Sequence, residues 1–360
     1  SNVPTDQNVL LVSDVSRFVF AFGCNALASA TVNPMLIRWS DQENPTQWTP
    51  AATNQAGSVQ LSNGSKIITV HQARQEILVW SDSSLYSLQY VGAPVVWGTQ
   101  LVGENISIVS SNAVAYANDT AYWMGIGKFY KYGGRTEPLD CNLRKFVFND
   151  INTDQYEQIC AGTLEDHNEI WWFYCSASST SIDRYVVYNY LDNIWYYGTL
   201  GRTAWLDSGL RDYPLAATYS NNLVNQEEGV DDNELGQSTA IVAYAETAEF
   251  DLDDGHQFNF IWRVLPDITF DGSTIDSPTA TMTLLPMQNS GSGYNSPTSV
   301  GGTNSGVVTR SAVLPIEKFT GQLNTRVRGR QMVMKVESTA AGVRWQLGSP
   351  RLDMRPDGRR

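Results

Sequence analysis

The chain has 360 residues, 11% of them aromatic and only 17% charged, with a formal net charge of −13. That length can bury a large core, and no apolar run approaches the ~18 residues a membrane-crossing helix needs. The excess of carboxylates is the wrong sign for a protein whose whole surface grips nucleic acid.

The first residue is Ser and strand-like sequence begins at VLLVSD (9–14), which predicts that further sequence once lay upstream. An opening unit reads VLLVSD, RFVFAFG, LIRWSD and QWTP (9–50), with the insert NALASATVNP inside it. The next is the clearest: SKIITVH (65–71), EILVWS (76–81), SLYSLQY (84–90) and VVWGTQL (95–101). Each piece is short and rich in Val, Ile, Tyr and Trp, the composition of a strand. A third unit runs ISIVS, TAYWMG, KFYKYGG and KFVFND (106–150). QICAGT, EIWWFY, DRYVVYNY and IWYYGT (158–199) form a fourth, and RTAWLD, PLAATY, NLVNQ and AIVAYAE (202–246) a weaker fifth.

The second strands of units two to five are marked by Leu78, Ala121, Ile170 and Leu215, at steps of 43, 49 and 45. Four strands in every ~40–50 residues is propeller-blade spacing. The fold class expected is therefore all-β: a β-propeller over 1–246, five blades visible in a ring of about six. Ser-Asp closes a strand at Ser13-Asp14, Ser40-Asp41 and Ser81-Asp82, where short polar side chains bond back to the turn backbone.

After 246 the repeat breaks down. An acidic loop, NQEEGVDDNELGQ (225–237), is expected inside the last blade. Residues 247–360 are expected to form a C-terminal antiparallel β-domain. It is interrupted by a Gly/Ser/Asn-rich stretch at 288–306 that predicts a long flexible loop. Strict alternation puts Arg326, Arg328, Arg330, Met332, Met334 and Val336 on one strand face. From Leu323 to Arg360 nine bases face three acids, a local charge of +6 that leaves −19 on the first 322 residues. No stretch has a convincing helical period.

The motifs of catalysis are missing. His71, His167 and His256 lack ligand spacing, and neither a nucleophile elbow nor a phosphate-binding loop occurs. The four cysteines, Cys24, Cys141, Cys160 and Cys175, show no Cys-x-x-Cys pairing. Buried reduced thiols are expected of them, a disulfide between two being the alternative. Asp251-Leu-Asp253-Asp254-Gly255 is one residue short of a calcium loop and reads as a hairpin turn. Glu165, Asp166 and Glu169 sit around one turn and Asp41 and Glu43 around another, but nothing places two carboxyls across a sugar. The aromatic runs Trp171–Tyr174 and Trp195–Tyr197 recur from unit to unit, which points to packing between blades and away from a sugar platform. No catalytic residue, metal or cofactor is expected.

Two segments go beyond a generic propeller: LIRWSDQENPTQWTP (36–50) and RVRGRQMVMKVESTAAGVRWQLGSPRLDMRPDGRR (326–360). With them, and with YVVYNYLDNIWYYGTLGRTAW between, the chain resembles the tail nozzle or tail hub proteins of short-tailed bacteriophages, also described as stabilisation or tail tubular proteins. The resemblance implies a structural virion protein assembled in the host bacterial cytoplasm. It further implies a homohexameric ring on the tail axis, beneath the portal and adaptor, with tail fibres as a further contact. That ring would retain packaged double-stranded DNA and pass it during ejection. None of these motifs is catalytic.

A head-to-tail ring needs two different complementary faces. Arg326, Arg328 and Arg330 are the candidate subunit interface, with binding of DNA phosphate as the competing role and intrachain salt bridges as a third. An acidic wall would let DNA slide where a basic one would hold it. Glu227, Glu228, Asp231, Asp232 and Glu234, together with the 288–306 stretch, are thus the candidate lumen or gate. A carbohydrate-binding or depolymerase-type propeller acting on host surface glycans is the alternative, and a kelch-like scaffold ranks last because only Gly133-Gly134 matches its glycine doublet.

Overall fold

Central strands that are apolar at every position need a neighbour on both faces, and the chain supplies one by stacking sheet on sheet. The computed structural model describes residues 2–251, 255–287 and 311–358. It divides into two units, Ser1–Gln226 and Glu227–Arg360.

Five antiparallel meanders make up the first unit. The first sheet holds β1 (Val9–Val12), β2 (Val19–Phe22), β3 (Leu36–Trp39) and β4 (Gly57–Gln60). The second holds β5 (Ile67–Gln72), β6 (Ile77–Ser81), β7 (Ser84–Gly92) and β8 (Val96–Glu104). The third is β9 (Val114–Ala117), β10 (Thr120–Met124), β11 (Phe129–Tyr132) and β12 (Thr136–Leu139), followed by the helix α1 (Arg144–Asp150). The fourth is β13 (Cys160–Leu164), β14 (Glu169–Tyr174), β15 (Arg184–Asn189) and β16 (Ile194–Gly198). The fifth has three strands, β17 (Ala204–Leu206), β18 (Leu215–Ala217) and β19 (Leu223–Asn225). First strands of neighbouring sheets lie side by side, β1 by β5, β9 by β13 and β13 by β17. The first unit is a β-propeller in its construction, and Leu78, Ala121, Ile170 and Leu215 all fall on second strands as the repeat predicts.

Alternation along each central strand deals side chains to the two neighbours in turn. Ile77 and Val79 of β6 join a core with Phe20 and Trp39 of the first sheet, while Leu78 and Trp80 join one with Trp123 of the third. In β14, Ile170, Trp172 and Tyr174 face the third sheet, whereas Trp171 and Phe173 pack with Trp205 of the fifth. Fully burying each such side chain contributes about 1.5–3 kcal/mol.

Four sequence expectations fail within or at the end of this unit. QWTP is not the fourth strand of the first sheet; Gly57–Gln60 is. Trp48 instead folds back with Ala21, Cys24 and Leu36 to close the sheet's other face. ISIVS is not a strand, and Val114–Ala117 takes its place. KFVFND is helical: Val147 turns inward, while Phe148 packs on Phe129 and Phe146 on Tyr197. The true fourth strand, Thr136–Leu139, was hidden by Pro138, which an edge strand tolerates because one side of it makes no ladder. AIVAYAE does not complete the fifth sheet. Its Ala243–Glu246 pairs with Lys335–Ser338, so the unit boundary lies at 226/227 and not at 246/247.

The second unit begins with a hairpin, β20 (Asp231–Asp232) and β21 (Thr239–Ala240). Next come β22 (Ala243–Glu246), β23 (Phe250–Asp251), β24 (Asn259–Leu265), β25 (Ile268–Thr269), β26 (Thr279–Met287) and β27 (Ala312–Glu317). It ends with β28 (Leu323–Gly329), β29 (Gln331–Ser338), β30 (Gln346–Leu347) and β31 (Arg351–Pro356). One sheet runs β22-β29-β26-β27 with β23 also on β29; a second runs β28-β24-β31. Ile261, Val264 and Val327 of the second sheet pack with Met282, Leu284, Ile316, Met332 and Val336 of the first in a shared core. The unit is an antiparallel β-sandwich. The expected flexible stretch 288–306 lies outside the described residues, as do Asp253 and Asp254.

The long alternation from Arg326 to Val336 is broken where the chain changes sheet. Gly329 ends β28 and Arg330 occupies the bend before β29. A Cβ on Gly329 would sit 2.9 Å from both the Gln331 carbonyl oxygen and Pro286 Cβ, so only glycine fits the corner. Met332 and Val336 enter the core, and Arg326 and Arg328 stay on the outer face of the other sheet.

Candidate interaction surface

The outer face of β28-β24-β31 is built by register. Phe260 on the central strand lies between Arg328 and Arg355, and Arg263 between Asn324 and Asp353. A bulge between Ile261 and Arg263 leaves Trp262 partly exposed. The Arg328 guanidinium carbon stands 4.1 Å from the centre of the Phe258 ring and that of Arg330 4.8 Å from it, while Arg355 covers Phe260 at 5.3 Å. Such cation–π contacts hold a guanidinium in place without neutralising it.

Two carboxylates belong to this face. Asp353 pairs with Arg263, and Asp357 accepts from Arg328 Nε at 2.6 Å. Arg326, Arg351 and Arg355 are exposed and form no ion pair among the described residues. The three candidate interface arginines therefore divide. Arg328 and Arg330 share the Phe258 ring, whereas Arg326 is free in solvent on the same strand. Sequence reasoning did not place Phe258, Phe260, Trp262, Arg263, Arg351 or Arg355 here. A signal existed in 351–355, where Arg351, Asp353 and Arg355 alternate with Leu352 and Met354, but the bulge at Trp262 breaks the period in 258–263.

The candidate gate carboxylates sit on and before the β20–β21 hairpin, in the second unit and not inside the last blade. Asp231 is structural: its Oδ2 accepts from Ser238 Oγ at 2.6 Å and its Oδ1 from the Gly342 amide at 2.7 Å. Those hydrogen bonds, the Ser238 one foremost, hold its carboxyl below the usual range. Asp232 Oδ1 accepts from the Glu234 amide at 2.9 Å. Glu227, with φ +61°, and Glu228 are exposed at the start of the unit.

Other chemical candidates have structural positions. No group of three or more His, Cys, Asp or Glu among the described residues could hold a metal. His71 packs at a tilt against Tyr116, and burial pushes its pKa down. Glu169 is buried and accepts from Trp171 Nε1 at 3.0 Å, Glu43 pairs with Arg17, and Asp41 accepts from the Gln55 amide at 2.8 Å. The Ser-Asp strand ends bond to backbone as expected: Ser81 Oγ accepts from the Ser84 amide at 2.9 Å and Asp82 from the Ser65 amide at 2.8 Å. Trp171, Trp172, Phe173 and Tyr174 are buried between sheets, so no sugar platform is exposed there. All four cysteines are free thiols.

No family model matches the chain, and no curated protein matches it. Among solved structures it is similar to Hsv2 of Kluyvelomyces marxianus, at 7% identity and a TM-score of 0.35 over 62% of each chain. It is also similar to the extracellular domain of a putative one component system from B. thetaiotaomicron, at 11% identity and a TM-score of 0.34 over 63% of this chain and 29% of that one. The AfRom2 CNH domain gives 10% identity and a TM-score of 0.34 over 68% and 76%. The chain thus spans less than two thirds of the first two of these, and likenesses at these TM-scores carry no argument about what it does.

Proposed function

We propose that the protein is a structural virion component, a subunit of the bacteriophage tail nozzle or hub ring that retains packaged DNA and conducts it on ejection. The observation that carries this reading is the arginine–aromatic face on an otherwise acidic protein. It is built largely from 326–356, the segment in which the resemblance to tail nozzle proteins is most specific. An exposed face of guanidiniums held on rings suits recognition of carboxylates on another protein surface. The aromatic-packed blades supply a stiff body around a conduit, and the net charge of −13 keeps duplex DNA from adhering to it.

Native mass measurement of the purified protein tests the reading. A closed ring, six-membered by the resemblance, is expected. A monomer at every concentration tried counts against it, and cleavage of a bacterial surface polysaccharide would favour the glycan-acting alternative.

A further inference from the structure

The second unit separates its charge along the sequence. Between Glu227 and Trp262 there are ten carboxylates and no lysine or arginine, while Leu323 to Arg360 carries nine bases against three acids. Folding puts Arg326, Arg328, Arg351 and Arg355 on one sheet face with Arg263, while Asp231, Asp232 and Glu234 lie in the β20–β21 hairpin just after Glu227 and Glu228. We propose that the arginine–aromatic face docks on the acidic 227–234 stretch, on and before the β20–β21 hairpin, of a second copy, joining copies head to tail through one basic and one acidic surface. The inference rests on the reading of the protein as a ring subunit and names the surfaces that meet.

Three observations favour a second copy as the occupant. A ring contact requires two unlike patches on each chain, and this unit carries one strongly basic and one strongly acidic. The charged partners that the face already has, Asp353 and Asp357, are carboxylates, so its forks are set at carboxylate spacing. Both surfaces are also prepared before contact. Arg328, Arg330 and Arg355 rest on aromatic rings, and Asp231 ties the hairpin to the Gly342 amide. The ring-held arginines and the tied hairpin thus have less freedom to lose on docking than the free side chain of Arg326. Arg326, Arg351 and Arg355 are the guanidiniums left to bind the neighbour.

The role reassigns the hairpin from the lumen to a subunit junction. It makes assembly sensitive to salt, since exposed pairs are screened within about 10 Å at 0.1 M.

Paired charge reversal tests the proposal. One variant carries Arg326→Glu and Arg355→Glu; the other carries Glu227→Lys and Asp232→Lys; thermal melts confirm that each folds. Each alone should assemble at least about tenfold more weakly than the native chain, by native mass and sedimentation. An equal mixture of the two, or one chain carrying all four changes, should regain the native assembly because every junction is again complementary. Unimpaired assembly of either variant alone, or no recovery on mixing, overturns the proposal while the ring reading stands. So does a face variant that assembles normally yet loses affinity for a short DNA duplex, which would assign the face to phosphate. A native chain that stays monomeric sinks the ring reading itself.

Discussion

The indole of Trp205 lies against the backbone of Gly162, in the fifth and fourth sheets of the propeller unit. Its Nε1 donates to the Thr163 carbonyl at 2.8 Å, and its ring stacks on Trp171 at 5.4 Å between centroids. A Cβ on Gly162 would collide with Trp205 Cδ1. The glycine is what lets the short fifth sheet pack flat on the fourth. Gly162→Ala is therefore expected to destabilise the protein by about 1–3 kcal/mol, as overpacking does. Thermal unfolding should show a lower midpoint, and an unchanged one would mean that the indole moves aside at little cost.

Trp172 ties the fourth sheet to the third, its Nε1 donating to the Ala113 carbonyl at 3.0 Å in a fully buried setting. Trp172→Phe removes that hydrogen bond and leaves a cavity where the larger indole packed, while the carbonyl keeps the Met124 amide as its other donor at 3.1 Å. A loss of about 1–3 kcal/mol is expected in denaturant unfolding, with the slope unchanged.

Burial pushes the Cys24 and Cys160 thiols up to about 11 and raises that of Cys175. Cys24 and Cys175 are almost fully enclosed. At pH 8 both should resist iodoacetamide in the native protein and react once it is denatured, which peptide mass mapping will show. Fast native labelling of Cys24 would reveal opening of the first sheet's loop cover.

Asp82 ties two turns of the second sheet together. Burial raises its pKa, but hydrogen bonds from the Ser65 hydroxyl and amide outweigh that and hold it below the ordinary carboxylate value. A depressed native pKa contributes stability that is present above the unfolded-state value and is lost as pH falls through the native one. Asp231 behaves in the same sense through Ser238 and Gly342. In Asp82→Asn, stability at neutral pH should fall, and the acid limb of the stability curve should become shallower than in the native protein. A parallel acid limb would show that this carboxylate is not linked to unfolding.

Much of the propeller unit was legible because its information is local. Runs such as Ile77–Ser81 and Glu169–Tyr174 are short, apolar at nearly every position and bounded by polar turns, and they form the buried central strands expected. Errors came at the margins, where packing overrode local pattern. The alternating phenylalanines of 144–150 look extended, yet Phe129 and Tyr197 offer surfaces that a helix covers better. The arginine face was half visible. Arg326 and Arg328 share it as alternation predicts, but Phe258, Phe260 and Arg355 come from strands distant in sequence.

By itself the sequence determined the strand chemistry, the blade repeat and the split between an acidic body and a basic end, since each depends on residue type and spacing of two. Tertiary structure decided which strands pair. Ala243–Glu246 leaves the last blade for a partner ninety residues away, and the strand from Arg326 to Val336 bends at Gly329 to serve two sheets. A strand's pattern says which of its faces must be buried, but not by what. The partner is chosen by the shape and chemistry of a surface that exists only once the rest of the chain has folded.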